Sequence, residues 1–313
     1  EMYFALVAES LCFNVESIPE LEVLNARALK AGRKAPVSFR INPDVDAKTH
    51  AKISTGKKQD KFGISWQDAE KVYAQAAELP GINVTGIDMH IGSQITDLQP
   101  YAEAFRLLQS LVLQLRKAGH TISHVDVGGG LGIPYRTDNA PPPDPQHYAD
   151  VVLEQVKSLD CQIIFEPGRM IAGNAGLLVS EVIYVKDAGE KSFVIVDAAM
   201  NDLIRPTLYE AWHDIRPVVL PQPDAPRMTV DFVGPVCESG DYLGKDRDIA
   251  RLEAGDLIAV GSAGAYGAVQ ASTYNTRLLI PEVMVNGDRF HVVRPRGSYE
   301  DLISLDSLPD WLQ

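Results

Sequence analysis

In the stretch His124-Val125-Asp126-Val127-Gly128-Gly129-Gly130-Leu131-Gly132, a short run dominated by apolar residues ends in consecutive glycines. That is the form of a strand of a parallel sheet, buried on both faces and stopped by a tight turn. Four other runs share it, at residues 12–15, 37–41, 84–90 and 162–165, and each ends in polar or glycine residues. Helical patterns fill the intervals. Ser17-Ile18-Pro19-Glu20 has the form of a capping box with proline in the first turn, ahead of Leu21, Leu24 and Ala28, and Gly32 supplies a stop. Residues 101–117 carry Phe105, Leu108, Val112 and Leu115 on one stripe, and Gly119 ends them. Strands alternating with helices in this way predict βαβ units.

Beyond residue 178 the pattern changes to β-rich runs at 178–185, 192–196, 228–233, 256–260, 274–281 and 282–285, with turn residues such as Asn286-Gly287-Asp288. The expected fold class is therefore α/β plus β. A partial (β/α)8, TIM-type barrel covers residues 1–178, and an antiparallel β domain covers 179–313.

Composition narrows the partners. The chain has 313 residues, with 29 Lys and Arg against 42 Asp and Glu, a net charge of -13 that repels nucleic acid phosphates and anionic lipid surfaces. No apolar run approaches the ~20 residues that span a bilayer, so no membrane partner is expected. Cys12, Cys161 and Cys237 are too few and too scattered for a disulfide framework, which points to a reducing, cytoplasmic setting. His120 and His124, which flank a strand entry after Gly119, do not form a metal set.

Chemistry in parallel α/β folds sits at the carboxyl ends of strands, and the unusual motifs of the first half lie there. Gly128, Gly129 and Gly130 permit close approach of backbone N–H groups to a phosphate, or equally make a tight strand-to-loop turn. Isoleucine at 133 rules out the dinucleotide fingerprint. Glu166-Pro167-Gly168-Arg169 places a carboxylate and a guanidinium at another strand end, either as functional groups or as a mutual ion pair. His90-Ile91-Gly92-Ser93 adds an imidazole and a hydroxyl. In the second half Arg205 and Tyr209 share one face if their segment is helical. Cys237-Glu238-Ser239-Gly240-Asp241 is an acidic turn with a thiol, and Tyr266 lies in a run of small residues.

These motifs, with Phe13-Asn14-Val15-Glu16-Ser17, Arg40-Ile41-Asn42-Pro43 and Lys61-Phe62-Gly63, stand in the order found in the pyridoxal-phosphate decarboxylases that resemble alanine racemase in fold. The chain resembles that family from residue 1 to its end, and within it the branch that converts meso-2,6-diaminopimelate to L-lysine and CO2. The resemblance implies pyridoxal 5'-phosphate as cofactor. Its phosphate is expected at Ser93, Gly128, Gly129, Gly130 and Tyr266, its ring nitrogen at Glu166 of the Glu166-Pro167-Gly168-Arg169 motif, and His90 against its ring. Arg169, Arg205 and Tyr209 are the implied contacts for the substrate's distal carboxylate, Glu238 for its distal ammonium, Tyr266 is a further implied substrate contact, and Cys237 is the implied proton donor. Relatives that act on ornithine or arginine usually carry Asp after this Cys, whereas Glu238 together with Arg205 suits a zwitterionic distal end. Ornithine, arginine and carboxynorspermidine remain the alternative substrates, and a non-catalytic homologue the alternative role. The family likeness further implies a homodimer in which Cys237 and Glu238 serve the partner's site.

One expected group is missing. The family's cofactor-anchoring lysine ends the first barrel strand, and none of the lysines here, among them Lys57, Lys58, Lys61, Lys117 and Lys186, ends a buried barrel strand. Five strands, taken as the fourth to eighth, stand where a closed barrel needs eight. The expectation is an N-terminally truncated piece of a longer enzyme, inactive by itself.

Overall fold

The computed structural model describes residues 1–47, 61–137, 141–189 and 191–312, so Lys57 and Lys58 lie outside the described residues. The chain forms two compact units, one of residues 1–133 and 140–171, the other of 134–139 and 172–313.

The first unit is built on a wholly parallel sheet. Strands β1 (Phe13–Val15), β2 (Ala35–Asn42), β4 (Ile82–Asp88), β5 (His124–Asp126) and β6 (Gln162–Ile164) lie side by side in that order, and the two-residue β3 (Ile64–Ser65) pairs with the end of β2. All five expected strands are present. Helix α1 (Met2–Val7) precedes β1, and α2 (Ile18–Lys30), α3 (Ala69–Ala77), α4 (Gln99–Lys117) and α5 (Pro145–Val156) fill the intervals. Ser17 Oγ accepts the Glu20 N–H as the capping pattern predicts, but the Glu20 carboxylate accepts from the Glu16 N–H, one residue earlier than a standard box.

The two faces of this sheet differ. Val15, Phe39, Ile87 and Val125 stand opposite one another in register and are fully buried, with Phe39 meeting Tyr73 of α3 edge-on at 4.9 Å. Successive strand residues point to opposite faces, so Asn14, Ser38, Gly86 and His124 line up on the other side, followed by Arg40, Asp88 and Asp126 one pleat further on. The strands read as apolar runs because their most buried residues dominate them. The polar face alternates in the same runs and carries the chemistry.

In the second unit, strands β7 (Leu178–Asp187), β8 (Ser192–Val196), β9 (Ile215–Pro217), β10 (Arg227–Val233), β11 (Tyr242–Ala250) and β12 (Leu257–Val260) form one sheet in the order β11-β10-β8-β7-β12-β9. Val182, Val194, Val196, Phe232, Leu243, Ile258 and Val260 make its core. The sheet is mostly antiparallel, with one exception: β10 runs parallel to β8. The long connection from β8 through α7 (Arg205–Tyr209) and β9 allows the chain to return in the same direction. Strands β13 (Glu282–Asn286) and β14 (Arg289–Arg294) form a separate hairpin whose turn has Gly287 at φ +64°.

The strand expected at 274–281 is not formed. Asn275 and Thr276 adopt φ of 55° and 59°, which no strand accommodates, and a short 3-10 turn spans Tyr274–Thr276. Strands β9, β11 and β14 were not anticipated. β11 carries Lys245, Asp246, Arg247 and Asp248 in sequence, a charge run that masks its β character.

Candidate active site

Polar groups gather just beyond the carboxyl ends of β4, β5 and β6. His90 follows β4, Gly128, Gly129 and Gly130 follow β5, and Glu166 follows β6 ahead of the short helix α6 (Gly168–Ala172). Three backbone N–H groups interlock these loops: Glu166 N–H donates to Gly128 O at 2.8 Å, Gly129 N–H donates to His90 Nδ1 at 3.1 Å, and Ile95 N–H donates to Gly130 O at 2.9 Å. A Cβ on Gly129 would strike the Glu166 carbonyl oxygen, and one on Gly130, at φ +91°, would strike that of Gly92. Close packing of backbone on backbone is thus the immediate reason for two of these glycines, in keeping with the tight-turn reading.

Arg169 is buried, and its Nη2 and Nε donate to Ser93 Oγ at 2.9 and 3.3 Å. The serine hydroxyl, already accepting from the guanidinium, keeps its own proton to donate. The pair is a compact donor set for an anion.

His90 accepts at Nδ1, so its ring proton sits on Nε2. Burial, aided by the Arg40 charge, lowers its pKa to about 4 and keeps the ring neutral at physiological pH. Three carboxyl groups gather at the neighbouring strand ends, Asp88, Asp126 and Glu166. Burial raises the pKa of each, and the charge of Asp126 pushes both Asp88 and Glu166 further up. Asp126 Oδ1 accepts from the Gly128 N–H at 2.9 Å, its Oδ2 accepts from Asn14 Nδ2 at 3.4 Å, and it shares a side-chain hydrogen bond with Glu166. Asp88 and Asp126 were not among the expected site residues. Their signal was an aspartate closing an apolar run, in Gly86-Ile87-Asp88 and Val125-Asp126.

The second unit carries the other candidates. Arg205 and Tyr209 open and close α7, so the segment is helical as their sharing a face requires, and Glu210 in the left-handed region at φ 53° ends it. Arg205 is 6% exposed. Thr207 Oγ1 donates to Gly240 O at 2.5 Å and Tyr242 O–H donates to Pro206 O at 3.0 Å, so this helix is tied to the turn bearing Cys237 and Glu238. Asp241 holds that turn, accepting the N–H groups of Met200 and Val236 at 2.7 Å each. Cys237 is exposed, and Glu238 Oε2 accepts from the Tyr274 hydroxyl at 2.9 Å. Tyr266 sits at φ +56°, an unfavourable conformation for a bulky residue and one that recurs where side chains are held for function. The described structure thus brings His90, Ser93, Gly128, Gly129, Gly130, Glu166, Pro167, Gly168 and Arg169 together in one unit, and Arg205, Tyr209, Cys237, Glu238 and Tyr266 belong to the other. No helix among the described residues is long and apolar enough to cross a membrane.

The fold and these strand-end groups define a class, the pyridoxal-phosphate-dependent decarboxylases: residues 1–173 match the family profile described as the pyridoxal binding domain of pyridoxal-dependent decarboxylases. The chain is 52% identical over 309 residues to the diaminopimelate decarboxylase of Vibrio cholerae, covering 98% of this chain and 73% of that one. It is 47% identical to that of Zymomonas mobilis, covering 100% and 73%. The crystal structure of Helicobacter pylori diaminopimelate decarboxylase complexed with L-lysine superposes with a TM-score of 0.92 at 41% identity, covering 97% of this chain and 75% of that one. The chain belongs to the diaminopimelate decarboxylase family.

Proposed function

We propose that the chain forms part of an enzyme that decarboxylates meso-2,6-diaminopimelate to L-lysine and CO2 with pyridoxal 5'-phosphate as cofactor. The observation that carries this beyond a general decarboxylase is the buried Arg205 of the second unit, a cation suited to the carboxylate of a zwitterionic distal end. Ornithine and arginine lack a distal carboxylate.

The first unit's groups fit the cofactor. Arg169 and Ser93, with the backbone at Gly128, Gly129 and Gly130, would hold its phosphate, joined by the Tyr266 hydroxyl. Glu166 would face the ring nitrogen, and the neutral His90 ring would lie against the pyridine face. When bound, the cofactor supplies an electron-withdrawing ring that accepts the electron pair left on Cα as CO2 departs. Glu166 holds the proton on the ring nitrogen that strengthens this withdrawal. Arg205 and Tyr209 orient the distal carboxylate, and Glu238 pairs with the distal ammonium. Cys237 delivers a proton to Cα. Cys237 and Glu238 would do so in the partner's site of a homodimer, and the free cysteines suit a cytoplasmic enzyme.

Among the described residues no lysine stands directly at the carboxyl end of β1, β2, β4, β5 or β6. A polypeptide of these 313 residues alone is therefore proposed to bind the cofactor without a covalent link and to be inactive. The test is to compare it with a version carrying the full length of its relatives. The longer protein should yield one L-lysine and one CO2 per diaminopimelate and a borohydride-trapped lysine adduct, and the 313-residue chain neither. A longer protein that leaves diaminopimelate intact refutes the function, and a trapped adduct with turnover in the short chain refutes its inactivity.

A further inference from the structure

His213 is fully buried, lies between α7 and β9, and has no part in the function proposed above. Its Nδ1 is 2.8 Å from Gly261 O, and its Nε2 is 2.8 Å from Arg205 Nη1. A carbonyl oxygen can only accept, so Nδ1 carries the ring proton. A guanidinium can only donate, so Nε2 must be the acceptor. The two contacts fix one tautomer of a neutral imidazole. Tyr135 completes the arrangement, with its ring centroid 4.5 Å from Arg205 Cζ and its ring edge-on to His213 at 5.1 Å.

The ring is pinned from its neighbours as well. Trp212 Nε1 donates to Asp214 Oδ1 at 2.8 Å, the Trp212 ring lies against the Arg136 and Arg247 guanidinium groups, and the Gly261 N–H donates to Asp214 O at 2.8 Å. A carboxylate at position 213 would also hold Arg205, but it would cancel the charge. A neutral acceptor orients the guanidinium and leaves its positive charge intact.

We infer that His213 is the positioning residue for Arg205: with Gly261 O and Tyr135 it fixes the guanidinium plane so that the arginine meets the distal carboxylate of the substrate. This rests on the assignment of Arg205 to that carboxylate, and the experiment separates the two. In the full-length holoenzyme, His213→Asn keeps a donor for Gly261 O but is too short to reach Arg205. His213→Phe keeps the ring shape without either nitrogen and serves if the Asn variant does not fold, as judged by circular dichroism. His213→Gln places a carboxamide oxygen near the Nε2 position. The readouts are KM and kcat for meso-diaminopimelate and the inhibition constant of the lysine that keeps the reacting centre's configuration but lacks the distal carboxylate.

The expected result is a KM raised ~10-fold or more by Asn or Phe, with kcat within a few-fold, an unchanged inhibition constant for the lysine, and partial recovery by Gln. An inhibition constant that worsens as much as KM, or a Gln variant no better than Phe, overturns the inference, because a merely structural role would affect both ligands alike. Arg205→Ala is measured beside them. If it raises KM selectively while the His213 variants leave KM unchanged, the role of His213 is refuted and that of Arg205 stands. If Arg205→Ala has no selective effect, the assignment of Arg205 fails and the inference falls with it.

Discussion

His90 offers a quantitative test of the first unit. Its folded-state pKa of about 4 lies below the ordinary 6.5 because burial, and then the Arg40 charge, oppose protonation. The unfolded chain therefore takes up a proton that the folded chain refuses. The stability this group contributes is present above pH 6.5 and is lost as pH falls toward 4. With those two values, the loss between about pH 8 and pH 4.5 is ~2.5 kcal/mol, since each pKa unit is worth about 1.4 kcal/mol. His90→Gln removes the titration while keeping an acceptor for the Gly129 N–H. Urea unfolding of the two proteins at both pH values isolates the term, because every other titrating group is common to both. The variant should lose ~2.5 kcal/mol less than the parent on acidification. Equal losses would show that His90 protonates in the folded state as easily as in water, and would refute the buried, neutral ring.

Other outcomes follow from the same strand ends. Asp88 has its pKa raised in the fold, chiefly by burial, so its contribution to stability is present at low pH and is lost as pH rises through the folded value. Asp88→Asn should therefore raise the melting temperature at pH 8 and change it little at pH 3. A uniform shift at both would contradict this sign. Gly129→Ala drives a Cβ into the Glu166 carbonyl oxygen and should destabilise by ~2 kcal/mol or more, read by thermal unfolding. Arg169→Lys keeps the charge but loses the fork that grips Ser93. It should weaken pyridoxal phosphate binding about tenfold, measured by titration of cofactor absorbance.

Much of this was legible in the sequence, and what was not has identifiable causes. The parallel strands announced themselves because one face of each is packed with Val, Phe and Ile, and the motifs after β4, β5 and β6 stood out because glycine, proline and charge interrupt those runs. Asp88 and Asp126 escaped notice as site residues, since within a strand an inward carboxylate looks like its boundary. Their closeness to Glu166 is a matter of register between strands that are 38 residues or so apart in the chain. His213 gave no local signal at all. Its role depends on Gly261, which lies 48 residues later, and on Tyr135, far earlier in the chain. The parallel pairing of β10 with β8 was hidden for a similar reason, because no local periodicity records the direction in which a strand is joined. At 274–281 a β-rich composition suggested a strand, and two residues in the left-handed region replaced its start with a turn.

The central claim is that the enzyme reads both ends of a diamino diacid, with Arg205 and Glu238 at the distal end. The most direct measurement is kcat/KM for meso-diaminopimelate against L-ornithine and L-arginine, using protein of the full length of its relatives and saturating pyridoxal phosphate. A site built around a buried guanidinium rejects substrates lacking its partner, so a preference for diaminopimelate of about 1,000-fold or more is expected, with L-lysine as product. Comparable turnover of ornithine or arginine would contradict it.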